Sequence, residues 1–203
     1  DYDRDGDLDV FVTNYIEYDE GKFRSFYAAS GYPGPLSYNG VSAALYRNDG
    51  GLRFTDVTKE AGVLNAGGRG MSSVAADLND DGWMDVYVAN DSMENYFYEN
   101  KGNGTFTDEA LVLGLALGQN GQGVYSMGPA VADLDGDGSL DIMIPDMDYG
   151  SLLSKKGGFY QDLVGRSGLA VILGQYTGWG AVLFDYDNDS HTDLFIANGN
   201  AHH

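Results

Sequence analysis

The chain has no cysteine, few basic residues and no long apolar run. Without cysteine it can form neither a disulfide scaffold nor a thiolate metal site. Its 11 Lys and Arg residues face 31 Asp and Glu residues, and the formal net charge is -20. The longest apolar stretch, around residues 110–117, is far shorter than the roughly 18 residues that a membrane span requires. We therefore expect cations as partners, no nucleic-acid partner and no membrane insertion.

Enough apolar and aromatic residues remain to build a folded core. The 203 residues are 43% hydrophobic and 13% aromatic, a composition that favours an ordered domain over a disordered acidic chain. Glycine occurs 30 times, which is roughly twice its usual share of about 7%. We therefore expect a single domain with many tight turns.

An acidic nine-residue motif occurs four times along the chain. Its copies lie at residues 1–9, 77–85, 133–141 and 185–193. Each copy has Asp at positions one, five and nine, Asp or Asn at position three, and Gly or Ser at position six. A short apolar run rich in β-branched and aromatic residues follows every copy, and this pattern predicts a buried strand after each loop.

Two further patterns repeat along with the acidic motif. Asn-Asp-Gly at 48–50 and Asn-Lys-Gly at 100–102 lie between apolar flanks and predict hairpins, and a weaker copy of this element ends at residues 159–162. Gly-x-Gly elements precede the three later acidic loops, at residues 68–70, 121–123 and 178–180. One unit therefore comprises strand, acidic loop, strand, hairpin and strand over about 50 residues, the size of a four-stranded propeller blade.

The sequence thus predicts an all-β fold, a β-propeller with one region over residues 1–203. The repeats lie approximately at 1–67 with an insertion at 15–44, at 68–120, at 121–175 and, in part, at 176–203. Blades bury their faces against their neighbours, so an isolated arc of roughly four blades exposes an apolar face at each end. We expect this arc to be cut from a longer chain, or to pair with another chain.

The acidic loops have the composition of calcium sites. Carboxylates at positions one, three, five and nine can converge if the chain coils, which a residue with positive φ at position six permits. With the backbone carbonyl of the seventh residue they form a set of hard oxygen ligands, which suits Ca²⁺ better than Mg²⁺ or Zn²⁺. Position twelve is apolar in all four copies, and this excludes the EF-hand, which needs an acid there. The alternative is that Asp and Asn only form turns, but four copies at blade-like spacing favour metal.

We predict up to four bound Ca²⁺ ions, one in each loop. The candidate ligands are Asp1, Asp3, Asp5, Asp7, Asp9, Asp77, Asn79, Asp81, Trp83, Asp85, Asp133, Asp135, Asp137, Ser139, Asp141, Asp185, Asp187, Asp189, His191 and Asp193. Asn79 removes one charge from the second loop, and Ser190 occupies the position that favours glycine in the fourth. A serine with positive φ costs about 1 kcal/mol. The third loop is therefore expected to bind most tightly and the fourth most weakly.

The motif and its following strand resemble the FG-GAP/VCBS repeat of integrin α-chain propellers. Residues 46–62, 178–189 and 194–199 are also similar to the cartilage acidic protein (ASPIC/UnbV) family. The resemblance implies a Ca²⁺-bound β-propeller that is exported, to the extracellular space, the cell surface or the periplasm. It also implies a binding or scaffolding role, in a group for which no catalysis is established.

The sequence is poor in catalytic motifs. Of its three histidines, His191 lies at the seventh position of a loop, and His202 and His203 lie at the chain end. No nucleophile elbow or Walker A loop is present. The glycine-rich stretch at 118–123 only weakly resembles a nucleotide-binding loop, and we expect an inter-blade turn there. We therefore predict that the chain is not an enzyme.

The insertion at residues 15–44 is the candidate surface for a protein or glycan partner. It is rich in aromatic residues set among Gly, Ser, Asn and Pro, namely Tyr15, Tyr18, Phe23, Phe26, Tyr27, Tyr32 and Tyr38. Such a composition suits recognition surfaces, although a loop packed over its own blade has the same pattern. The alternative function is a carbohydrate-active enzyme of the lyase or glycosidase type, or its sugar-binding domain, acting through this insertion.

Overall fold

A computed structural model describes residues 1–19, 34–65 and 67–200 of the chain. Within these residues the fold is all-β, an arc of four consecutive antiparallel sheets, as the sequence predicts. Neither of the α-helices in the described part is long and apolar enough to cross a membrane. The predicted aromatic residues Phe23, Phe26, Tyr27 and Tyr32, and the terminal His202 and His203, lie outside the described residues.

The sheets follow one another along the chain. The first contains β1 (Val10–Val12), β2 (Ala44–Asn48) and β3 (Phe54–Asp56). The second contains β4 (Gly70–Ala76), β5 (Asp85–Met93), β6 (Tyr96–Asn100) and β7 (Phe106–Asp108), and β8 (Val124–Tyr125) pairs with β5. The third contains β9 (Ala130–Ala132), β10 (Asp141–Ile144), β11 (Ser151–Lys156) and β12 (Phe159–Asp162), and the fourth β13 (Thr177–Phe184) and β14 (Asp193–Gly199).

Short helices complete the described secondary structure. A 3-10 helix (Pro35–Ser37) lies within the insertion, α1 (Ala110–Leu113) follows β7, and α2 (Leu169–Leu173) follows β12. Gly114 ends α1 with a φ of 80°, the left-handed conformation that commonly terminates helices. The two α-helices lie between neighbouring sheets, and the helices together add little to the all-β architecture.

The acidic loops connect antiparallel strands in the second, third and fourth sheets. In each case the ninth loop residue is also the first residue of the following strand, and it pairs with the last residue of the preceding strand. The pairs are Asp85 with Ala76, Asp141 with Ala132, and Asp193 with Phe184. The sheet register therefore places each loop at the same end of its blade.

The predicted hairpins form between the later strands of the first three sheets. Asn48 pairs with Phe54 and Asn100 with Phe106, so the two Asn-x-Gly turns connect β2 to β3 and β6 to β7. In the third sheet, Lys156 pairs with Phe159 across Gly157 and Gly158, whose φ angles of 63° and 88° suit a two-residue type I′ turn.

The core lies between successive sheets, and β5 contributes to both of its parts. Val86 and Val88 pack toward the first sheet in a cluster with Tyr2, Leu45 and Phe106. Tyr87 and Ala89, which alternate with them along the strand, pack toward the third sheet with Phe97, Ile142, Leu153 and Tyr160. Because successive side chains of a strand point to opposite faces, the second blade is buried on both sides.

The two ends of the arc differ from this central blade. In the fourth sheet, Val182 and Phe195 are 53% and 59% exposed, and in the first sheet Val10 is 41% exposed. No further sheet of the described residues covers these apolar side chains, so they face outward, as expected of the two end faces of an arc of blades.

Candidate calcium-binding loops

All four loops follow the same backbone path. At the sixth position, φ is positive in every copy, as the composition predicts: 96° for Gly6, 86° for Gly82, 93° for Gly138 and 71° for Ser190. The fourth position is also left-handed, a feature not predicted from the sequence: φ is 62° for Arg4, 66° for Asp80, 73° for Gly136 and 61° for Asn188. Asp, Gly and Asn tolerate this region best, so three of these four residue types were a usable signal.

The first aspartate of each loop supports this turn by accepting backbone N–H groups. Its Oδ2 accepts the N–H of the sixth residue in every copy, at distances of 3.2, 2.8, 3.0 and 2.8 Å along the chain. In the third loop, Oδ1 of Asp133 also accepts the N–H groups of Gly136 and Asp137. Backbone N–H groups of its own loop therefore orient the first carboxylate.

The ninth aspartate joins the start of the loop to its end. Its Oδ2 accepts the N–H of the second loop residue in all four copies, at 2.9 to 3.1 Å. In the first two loops its other oxygen accepts a hairpin N–H as well, from Asn48 to Asp9 and from Asn100 to Asp85, each at 2.9 Å. The ninth carboxylate thus links the acidic loop to the hairpin of its own blade.

Burial distinguishes the ninth position of the second loop. Asp85 is completely buried, and this burial raises its pKa to about 6 although the N–H groups of Asn100 and Leu78 lower it. Asp77 and Asp81 add their negative charge to the same effect. A bound cation would have the opposite effect and favour the ionised carboxylate.

Three of the four loops bring three carboxylates together within the described part of the chain. In each group, one oxygen from every member lies within 4.8 Å of the others: Asp1, Asp3 and Asp5; Asp133, Asp135 and Asp141; Asp185, Asp187 and Asp193. Seven other acidic candidates and His191 lie in the four loops outside these groups, namely Asp7, Asp9, Asp77, Asp81, Asp85, Asp137, Asp189 and His191. Asn79, Trp83 and Ser139 occupy their predicted loop positions but carry no carboxylate, so they do not enter these groups.

The second loop has a different internal contact. The amide of Asn79 donates to Oδ2 of Asp81 at 2.9 Å, so an N–H group engages an oxygen of a candidate ligand. Asparagine can donate where aspartate cannot. The predicted loss of one charge in this loop is therefore accompanied by an internal hydrogen bond.

A lysine contacts the third loop, which the sequence analysis did not predict. The ammonium of Lys156 lies 2.6 Å from Oδ2 of Asp135 and 3.0 Å from Oδ2 of Asp137. These carboxylates raise the pKa of Lys156. The N–H of Ser139 and then this ammonium lower the pKa of Asp137. A positive charge thus already neutralises part of the loop expected to bind most tightly.

Neighbouring loops also touch one another. The guanidinium of Arg4 lies 3.9 Å from the ring centre of Trp83, within the range of a cation–π contact. The hydroxyl of Ser139 donates to Oδ2 of Asp80 at 3.0 Å. In both pairs the fourth residue of one loop meets the seventh residue of the next.

Hairpin side chains strengthen the same junctions. Asn100 donates its amide to the carbonyl of Tyr2 at 2.8 Å. In the next blade, Lys155 occupies the equivalent position and donates to the carbonyl of Leu78 at 3.2 Å and to Oδ2 of Asp80 at 2.6 Å. The second and third blades therefore each hold the second residue of the acidic loop before them.

The described ends of the insertion pack against the second sheet. The hydroxyl of Tyr15 donates to the buried carboxylate of Asp91, and the guanidinium of Arg69 donates to the carbonyl oxygens of Pro35 and Tyr38. Tyr18 is 66% exposed. Tyr15 and Arg69 therefore anchor the insertion, and Tyr18 is the aromatic residue of its described part that faces outward.

The loops and blades agree with the similarities of the chain to known proteins. Residues 1–88 and 77–144 match the FG-GAP-like repeat. Cartilage acidic protein 1 of Homo sapiens is 36% identical over 94 residues, which is 45% of this chain and 13% of that protein, and the Mus musculus protein is 36% identical over 94 residues, 45% of this chain and 14% of its own. The Xenopus tropicalis protein is 32% identical over 127 residues, 59% of this chain and 18% of its own length. The chain thus matches less than a fifth of the length of these curated relatives.

Proposed function

The chain belongs to the FG-GAP-like repeat family, and on this basis we propose that it is an extracellular, calcium-stabilised propeller module that binds or scaffolds a partner. The family match and the similarity to cartilage acidic protein 1 support a module of the adhesion or scaffold type. Extracellular calcium-binding modules operate with dissociation constants of about 10⁻⁴ to 10⁻³ M. The outside of a cell therefore suits loops as exposed as these.

The convergence of carboxylates in three loops is the observation that carries the calcium proposal. Oxygens from three aspartates lie within 4.8 Å of one another in each group, an arrangement in which like charges repel unless a cation is present. All the side-chain donors are hard oxygen atoms, which Ca²⁺ prefers. The residues present therefore fit the ion that the family resemblance implies.

Within each loop the aspartates have separate roles. The first carboxylate orients the turn through the N–H of the sixth residue, and the ninth ties the loop closed through the N–H of the second. A bound Ca²⁺ would supply the positive charge that lets the remaining carboxylates stay close together. Because backbone N–H groups already engage these carboxylates, they are better suited to holding a structure than to acid–base chemistry.

Metal analysis and thermal unfolding test the calcium proposal. We expect the purified protein to contain at least two Ca²⁺ ions per chain and to lose about 10 °C or more in melting temperature in EGTA. Excess Mg²⁺ should restore little of this loss, since it requires a compact octahedral site. Protein without calcium whose melting temperature is unchanged in EGTA would contradict the proposal.

A pair of variants separates ion binding from general charge effects. Asp185→Asn removes a convergent carboxylate from the fourth loop, whereas Glu60→Gln makes the same charge change at an exposed position outside the loops. We expect Asp185→Asn to lower the calcium content by one ion per chain and Glu60→Gln to leave it unchanged. An equal effect of both would show that the ions bind only through the overall negative charge.

A further inference from the structure

A groove lies at the end of β10 opposite its acidic loop. The segment 118–125 forms one side, and the loop 146–151 between β10 and β11 forms the other. The cavity has a volume of about 390 Å³. A second cavity of about 540 Å³ adjoins it, since Gly118 and Gln119 line both. Ligand pockets commonly occupy about 300 to 1,000 Å³, so the groove has room for a molecule of more than one ring.

Hydrogen bonds and packing hold the walls of the groove. The carboxylate of Asp146 accepts the N–H of Tyr125 at 3.0 Å with one oxygen and the N–H of Asp148 at 2.9 Å with the other. This residue therefore ties the two walls together. The ring of Tyr149 packs against Gly174, where a Cβ atom would lie 2.7 Å from the ring. The binding surface is thus formed before a ligand arrives, which lowers the entropy cost of binding.

The side chains of the groove are polar, planar and uncharged for the most part. Gln119, Asn120 and Gln122 present exposed amides, which both donate and accept hydrogen bonds. Tyr125 and Tyr149 are 38% and 61% exposed and add aromatic surface. Sugar hydroxyl groups also donate and accept, and the C–H faces of sugar rings pack on aromatic rings. This lining therefore fits a carbohydrate better than an apolar ligand.

Charge narrows the class of carbohydrate. Among the described residues that line the first cavity there is no Lys or Arg, while Asp146 and Asp148 are acidic. Arg166 lines the second cavity together with Asp162, and the chain as a whole carries a net charge of -20. A sulfated glycan or a uronic acid would therefore be repelled.

We propose that this groove between residues 118–125 and 146–151, with the adjoining cavity, binds a neutral oligosaccharide. The proposal rests on the proposed function as a binding module and identifies the partner as a glycan. It places the contact at Tyr149 and Gln122, one on each side of the groove, and not on the insertion at residues 15–44. Asp146 acts as a positioning residue, because its carboxylate is engaged by the backbone of both walls.

Calorimetric titration with a panel of neutral oligosaccharides, and with sulfated and uronic-acid oligosaccharides of equal length, tests the groove. The protein is saturated with Ca²⁺ throughout. We expect at least one neutral oligosaccharide to bind at least tenfold more tightly than its acidic counterparts. Tyr149→Ala should weaken this binding at least tenfold and Gln122→Ala severalfold, whereas Tyr149→Phe, which keeps the ring, should retain most of the affinity.

Tyr18→Ala is the matched control, because Tyr18 and Tyr149 are both exposed tyrosines, at 66% and 61%, and Tyr18 belongs to the insertion. We expect Tyr18→Ala to bind like the unaltered chain. Binding lost in Tyr18→Ala but kept in Tyr149→Ala would overturn the proposed location. A panel in which no neutral oligosaccharide binds, or in which the acidic ones bind better, would overturn the proposed ligand.

The calcium proposal and the groove proposal are tested by independent measurements. Calcium content and the effect of EGTA on the melting temperature are measured on the same variants. If the glycan binds but the protein holds no calcium, only the calcium proposal is overturned. If calcium is bound and no neutral oligosaccharide binds, only the groove proposal is overturned.

Discussion

The second and fourth acidic loops, residues 77–85 and 185–193, share one motif and one backbone path, yet their surroundings differ. Asp85 is completely buried and accepts two backbone N–H groups. Its counterpart Asp193 is half-buried and accepts one. The second loop is also held by Lys155 and Ser139 from the third blade. In the described part of the chain, no hydrogen bond or ion pair connects the fourth loop to another loop.

This difference shows that the motif determines the shape of a loop, while its neighbours determine how much the loop depends on an ion. In the fourth loop three carboxylates converge without a cationic side chain among the described residues to balance them. In the second loop an amide and an ammonium each contact a carboxylate. We therefore expect the fourth loop to need calcium for its order and the second to keep its shape without it.

The largest expected effect on the free energy of unfolding comes from replacing the ninth-position aspartates, Asp85 and Asp193. Asp85→Ala leaves the N–H groups of Leu78 and Asn100 without an acceptor in a buried setting, which should lower the free energy of unfolding by about 3 kcal/mol. Asp193→Ala should cost less than about 1 kcal/mol in EGTA, because its surroundings are exposed to water. Urea denaturation in EGTA measures both values. Equal losses would contradict the importance of the neighbouring blades.

Calcium removal should act unequally on the two loops. A site in contact with Ca²⁺ at 100 times its dissociation constant gains about 2.7 kcal/mol of stability. In the fourth loop this gain offsets repulsion among carboxylates that no cationic side chain of the described residues relieves. We expect EGTA to increase amide hydrogen exchange across residues 185–193 at least tenfold, and much less across residues 77–85. Mass spectrometry of peptides from each loop provides the measurement, and a uniform increase would refute the comparison.

Replacing the adjacent Lys155 and Lys156 should give a change in stability of intermediate size at one and little change at the other. Lys155→Met removes the ammonium that bridges two blades at Leu78 and Asp80 and should lower the free energy of unfolding by about 1.5 kcal/mol. Lys156→Met removes only a contact at the exposed surface of the third loop, so stability should change little.

Lys156→Met should instead change calcium binding. Without the ammonium, Asp135 and Asp137 are free to face the ion, and we expect the affinity of the third loop to rise severalfold. Titration with Ca²⁺ would then rank this loop above the others, which is the order expected from the sequence. No change in any site affinity would show that the lysine does not compete with the ion.

The smallest expected effect concerns the sixth position of the fourth loop. Ser190 has a φ of 71°, so Ser190→Gly should raise the free energy of unfolding by about 1 kcal/mol. Gly82→Ser in the second loop, where φ is 86°, should lower it by a similar amount. Urea denaturation of both variants in EGTA tests whether the two loops share this backbone requirement.

Local features were predictable from the sequence. The positive φ of the sixth loop residue, the strand after each loop and the turns at residues 48–50 and 100–102 all followed from residue types within a few positions. The fourth-position conformation was missed because the residue type there differs in every copy, and Arg4 does not favour a positive φ. The roles of Lys155 and Lys156 were missed because nothing near them in the sequence indicates an acidic loop in contact with them.

The sequence by itself therefore determined the shape of the four loops, since the hydrogen bonds formed within each loop join residues no more than seven positions apart. Only the tertiary structure decided which loops are buried, bridged or left exposed. Those contacts join residues far apart in the chain, such as Asn100 with Tyr2 at a separation of 98 and Lys155 with Leu78 at 77. They form because packing apolar strand faces between blades brings distant loops together, and the hydrophobic driving force for that packing depends on the whole arc.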